Sequence, residues 1–102
     1  MKITPCADDQ GVARLALSGE LDMASADALH EQVHQALASD RPELLIIDLA
    51  ALTFCDSTGI RALVDARAAA IACQVAFQVV NPRGVTRRVM RVTGVLDVLT
   101  TV

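Results

Sequence analysis

Leu44-Leu45-Ile46-Ile47-Asp48-Leu49, then Ser57 to Ala72, then Val75 to Val80: this succession decides the fold. The first segment is a short, solid apolar run bounded by turn residues, as expected of a central strand buried on both faces. The second puts Ile60, Leu63, Val64 and Ile71 on one helical stripe, and the third is again an apolar strand. Two strands with a helix between them form a crossover unit, so they must run parallel in one sheet.

The flanks extend this unit. Ile3 to Cys6 and Val12 to Leu17 read as two strands joined by a turn at Asp8-Asp9-Gln10-Gly11. Pro5 cannot donate to a ladder, which makes the first an edge strand. Ala13, Leu15 and Leu17 alternate with Arg14, Ala16 and Ser18, the pattern of a half-buried strand. Ala26, Leu29, Val33 and Leu37 recur at helical spacing, and that helix ends before Asp40-Arg41-Pro42. After the third apolar segment, Asn81 as N-cap and Pro82 at the first position open a helix with Val85, Val89 and Val92 inward and Gly94 as its stop. The tail, Val95-Leu96-Asp97-Val98-Leu99, is apolar enough to pack back. The expectation is an α/β fold in which residues 1–102 form one domain. A mixed, mostly parallel sheet of about four strands is packed with helices in the order β-β-α-β-α-β-α.

Composition narrows the function. The chain has no Trp or Tyr, so Leu, Val, Ile and Ala must build the core, with Phe54 and Phe77 as its largest pieces. A net charge of -3 argues against nucleic acid as a partner. The longest apolar runs, such as Ala68 to Cys73, are far below the ~20 residues of a membrane-spanning helix, and no signal-peptide region opens the sequence. A cytoplasmic protein without membrane insertion is expected. Cys6, Cys55 and Cys73 form no CxxC pair or disulfide framework and read as small buried hydrophobes. Cys55 also adjoins the residues that draw most attention, where a reachable thiol would give redox input.

Those residues are Asp56, Ser57, Thr58 and Gly59, in the stretch Leu52 to Gly59 between the buried strand and the second helix. Free backbone N–H groups and the positive end of the helix dipole converge there, so a phosphate on Ser57 would be stabilised. Loops at the carboxyl end of parallel strands are also where α/β proteins place their sites. The plainer alternative is that Asp56, Ser57 or Thr58 simply caps the helix.

Three segments together resemble a STAS domain, the module shared by sulfate-transporter tails and anti-sigma factor antagonists. They are Leu17-Ser18-Gly19-Glu20-Leu21-Asp22, Ile46 to Gly59 with its Asp-Ser-Thr-Gly signature, and Val79-Val80-Asn81-Pro82 leading to Arg91-Val92-Thr93-Gly94. The resemblance implies an anti-sigma factor antagonist whose Ser57 is phosphorylated by an anti-sigma factor serine kinase and restored by a serine phosphatase, with Asp56, Thr58 and Gly59 completing the partner-binding loop. It implies no enzyme and no cofactor; the sequence has no GxGxxG or GxxxxGK[ST] loop, so ATP is expected to come from the kinase. The same family implies an alternative, a subunit regulating an ABC-type or other membrane transporter. One departure stands out: the family commonly has a Gly-containing turn after the second helix, whereas Ala72-Cys73-Gln74 supplies none.

Other signals carry less. His30-Glu31-Gln32-Val33-His34 matches a zinc-hydrolase pattern, yet the chain has no third histidine to support a metal-dependent hydrolase built on His30 and His34. Ser57 lies in no GxSxG elbow. Arg83, Arg87, Arg88 and Arg91 give the third helix a basic side, either a solvated face or a secondary contact for an acidic partner.

Overall fold

The computed structural model describes residues 1–8, 10–39 and 41–101; Asp9 in the expected turn and Asp40 at the expected helix end lie outside them. Along the chain come β1 (Lys2–Ala7), β2 (Val12–Leu21), α1 (Ala26–Ser39), β3 (Leu44–Cys55), α2 (Ser57–Ala72), β4 (Ala76–Val80), α3 (Gly84–Val92) and α4 (Leu96–Thr100). The sheet order is β1-β2-β3-β4. β1 pairs antiparallel with β2 at the edge, while β2, β3 and β4 run parallel, as the crossover requires. The fold is thus the expected mixed α/β arrangement, with the tail condensed into the short α4.

The core forms against one face of the sheet. Ala13, Leu15 and Leu17 of β2, Leu45, Ile47 and Leu49 of β3, and Phe77 and Val79 of β4 are buried. They join one cluster with Leu29, Val33 and Leu37 of α1, Leu63, Ala66 and Ala70 of α2, Met90 of α3 and Leu99 of α4. The other face is largely open, which corrects the expectation that β3 is buried on both. Among the described residues only Ile46 is buried there, between Arg14 and Gln78 on the neighbouring strands, while Asp48 is half-buried and Ala50 exposed. Asp48 Oδ2 accepts from Arg14 Nη1 at 2.9 Å, and its Oδ1 accepts from Asn81 Nδ2 at 3.0 Å. Burial works to raise its pKa, but the bonds from Asn81, the Ala50 N–H and Arg14 outweigh this and hold the carboxyl below its usual value.

β3 differs most from the sequence reading: it continues six residues beyond Leu49, through Cys55. Its register against β2 shifts twice, between the pairs Ala16/Asp48 and Ser18/Ala51 and again between Gly19/Leu52 and Glu20/Phe54. Each shift inserts one extra β3 residue and moves the inward phase by one. Leu49, Leu52 and Cys55 therefore all face inward, and Phe54 turns outward with 43% of its surface exposed. It is not a core residue; Phe77 alone of the two phenylalanines is.

α2 has the limits its sequence predicts, but its buried stripe is Ile60, Leu63, Ala66 and Ala70, with Ile71 exposed. α3 starts later than Asn81-Pro82 suggests. Asn81 takes a left-handed φ of 58° and spends its side chain on Asp48, Arg83 is extended with Nη1 donating to Ala50 O, and the helix begins at Gly84. That entry turns Thr86 and Met90 inward and leaves Val85 and Val92 exposed, with Val89 half-buried. Gly94 does stop it: Val95 N donates to Met90 O and Gly94 N to Arg91 O, both bonds of a Schellman cap.

The same cap closes α2 without glycine. Val75 N donates to Ala70 O and Gln74 N to Ile71 O, and Gln74 is forced to φ 61°. A Cβ in this region costs on the order of 1 to 2 kcal/mol, partly offset by the flexibility glycine adds to the unfolded chain. Gln74→Gly is therefore expected to stabilise the protein by about 0.5 to 1 kcal/mol and to raise its Tm by about 2 to 8 °C in thermal denaturation.

Candidate functional site

The site residues sit where β3 ends and α2 begins, beside the end of β2. Leu21 pairs with Cys55, and Asp56 N donates to Leu21 O at 3.3 Å, so the two strand ends are pinned together. Thr53 Oγ1 adds a bond of 2.9 Å to Gly19 O just upstream, across the second register shift. β2 then turns through Asp22 to Ser25 into α1, with Ser25 Oγ donating to Glu20 O. The loop at 22–25 and the loop at 56–59 consequently leave the sheet side by side.

Of the three residues able to cap α2, Asp56 does so. Its backbone is extended, its Oδ1 accepts from Gly59 N at 2.8 Å, and its carbonyl accepts from Ile60 N at 2.9 Å. Ser57 and Thr58 are exposed, and among the described residues neither hydroxyl has a hydrogen-bond partner. Gly59 is buried under the junction. A Cβ placed on it would lie 2.5 Å from Leu21 O and 2.7 Å from Cys55 Sγ, so the first turn of α2 sits this close to β2 only because the residue has no side chain. The four residues singled out by sequence thus divide into a cap, two free hydroxyls and a packing position.

Cys55 lies beneath them and is buried, with its thiol pushed up to about 12 by burial and by the Asp56 charge. Such a thiol is a packing group and not a nucleophile. Cys6 and Cys73, expected inside, are exposed: β1 is an edge strand with little covering it, and Cys73 stands in the C-cap of α2. A thiol reagent is expected to label Cys6 and Cys73 in the native protein and Cys55 only after denaturation. Rapid native labelling of Cys55, read by peptide mass spectrometry, would contradict its placement.

No pattern in the sequence points to a groove beside the loop. Ala26, Asp27 and His30 of α1 face Thr58, Arg61, Ala62 and Asp65 of α2 across an open space of ≈ 250 Å³. Finding it requires the rotation of both helices, although the charges at 27, 61 and 65 are on each helix in plain view. His30 packs against His34 with ring centroids 4.3 Å apart and the ring planes tilted by 52°, and among the described residues no group of three His, Cys, Asp or Glu side chains is placed to hold a metal. Arg83, Arg87, Arg88 and Arg91 are exposed and take part in neither of the two ion pairs found among the described residues. Among the described residues no helix is long and apolar enough to cross a membrane.

With a mixed sheet whose parallel strands present Asp56-Ser57-Thr58-Gly59 at their carboxyl end and the start of a helix, residues 7–102 match the STAS domain family, and the chain belongs to it. Among curated proteins it is similar to the anti-sigma-F factor antagonist RsfB of Mycobacterium tuberculosis, with 41% identity over 88 residues, 86% of this chain and 70% of the relative. A solved anti-sigma factor antagonist from Mycobacterium paratuberculosis superimposes with a TM-score of 0.79 at 35% identity, covering 98% of this chain and 84% of that one. The Bacillus cell fate determinant SpoIIAA in its phosphorylated form shares the fold, with a TM-score of 0.75 at 19% identity over 98% of this chain and 89% of that one.

Proposed function

We propose that this chain, with residues 1–102 acting as one STAS domain, is a cytoplasmic anti-sigma factor antagonist: a binding module and not an enzyme. Its partner is an anti-sigma factor serine kinase, which it binds through the loop of Asp56, Ser57, Thr58 and Gly59, releasing a sigma factor. The kinase transfers the γ-phosphoryl group of ATP to Ser57 Oγ, ADP leaves, and binding is lost; a serine phosphatase restores it. The observation that carries this reading is the division of labour at the helix start. Because Asp56 already caps α2, the Ser57 hydroxyl is left exposed and unengaged beside N–H groups that favour an anion. The 41% identity to an anti-sigma-F factor antagonist supports the choice of partner over the transporter alternative.

Phosphorylation places about 1.5 to 2 negative charges beside Asp56 in the loop that meets the partner. Incubation with the cognate kinase and ATP is expected to add one phosphate, located on Ser57 by mass spectrometry, and Ser57→Ala should remove it. Undiminished labelling of the Ala variant would sink the assignment, and phosphate appearing with ATP alone would contradict the reading of a non-enzyme.

A further inference from the structure

Arg61 is one helical turn beyond Ser57, and its Nε now donates to Asp65 Oδ1 at 3.1 Å, one turn further still. Both side chains of this pair are mostly exposed, at 77% and 53%, so the pair is weak and free to exchange. Its order is also the poorer one. On a helix, an acid placed four residues before a base agrees with the macrodipole, whereas Arg61 followed by Asp65 reverses that sense. A phosphoserine at 57 would restore it, standing four residues before Arg61 with more charge than a carboxylate and at the positive end of α2.

From this we infer that phosphorylation of Ser57 draws Arg61 away from Asp65, so that the phosphate is read at two places on the surface. The inference rests on Ser57 being the phosphoacceptor. The phosphate is then held by Arg61 and by the first-turn amides of Ser57 and Thr58, while the Gly59 and Ile60 amides stay with Asp56. Asp65 loses its cation and turns an uncompensated carboxylate into the groove that it lines with Asp27, His30 and Thr58. A partner seated over Ser57 and this groove meets a new negative charge at each end of Arg61. Arg61 is in this sense a positioning residue for the phosphorylated state and has no role in the transfer itself.

The test uses the full chain with phosphoserine installed at position 57 by genetic-code expansion, so that no kinase is needed, and follows the phosphate titration by phosphorus NMR. Arg61→Gln is expected to raise the second pKa of the phosphate by about 0.3 to 0.5 units, and Arg61→Lys to restore most of the difference. Asp65→Asn should lower that pKa where Arg61 is present and have little effect in the Arg61→Gln background. A titration unchanged by Arg61→Gln, or an Asp65→Asn shift of equal size in both backgrounds, would overturn the exchange. Since the phosphoserine is built in, either result leaves the identity of the kinase's target to be judged by the labelling experiment alone.

Discussion

Gly59→Ala is expected to destabilise the protein by about 2 kcal/mol or more and to lower its Tm by on the order of 8 °C or more, although alanine is the better helix former. Propensity alone predicts the opposite, a gain of up to about 1 kcal/mol, the figure for a helix interior, and less in the first turn where Gly59 stands. Packing decides against it. The added methyl would lie 2.5 Å from Leu21 O and 2.7 Å from Cys55 Sγ. The first of these is a backbone atom fixed by Asp56 N and by the ladder with β3, so no rotamer change relieves the contact. Removing the sulfur as well, in Gly59→Ala with Cys55→Ala, is expected not to restore stability, because the carbonyl remains. The first turn of α2 must move outward, taking Ser57 with it, and phosphorylation by the kinase should slow in parallel. Thermal denaturation decides; an unchanged or higher Tm would mean that the helix start is not held against β2.

What the sequence made legible, and what it hid, follows from where each signal resides. The order of elements, the parallel crossover and both limits of α2 come from local patterns, apolar runs and turn chemistry, which the tertiary structure did not override. The two register shifts in β3 exist only relative to β2, so no feature of the strand itself announced that Phe54 would face solvent and Cys55 the core. Asn81-Pro82 looked like a helix start, but the side chain of Asn81 was claimed by Asp48, thirty-three residues earlier, and α3 rotated accordingly. At α2 the missing glycine after the helix was a real signal with an unexpected resolution, a left-handed Gln74 within an unaltered Schellman cap. The candidate loop was visible as a motif. Which of its residues caps the helix was not, because Asp56, Ser57 and Thr58 are all able to do so, and only the backbone geometry separates them.

That separation sets up the second large effect. Since Asp56 holds the cap, Ser57→Ala is expected to change stability by no more than about 0.5 kcal/mol, as for a surface substitution. Ser57→Asp should fold as well, because an acid in the first turn agrees with the helix dipole. The two variants should nonetheless part company in binding. A charge crowded into an interface costs several kcal/mol, and ~2.7 kcal/mol is already a hundredfold in affinity. The most direct measurement is the Kd of the cognate anti-sigma kinase for wild type, Ser57→Ala and Ser57→Asp by titration calorimetry under one salt condition. Affinity within a few fold of wild type for Ser57→Ala, with a loss of about a hundredfold or more for Ser57→Asp, is the predicted result; equal affinity of the two variants would contradict the claim that charge at Ser57 is the switch.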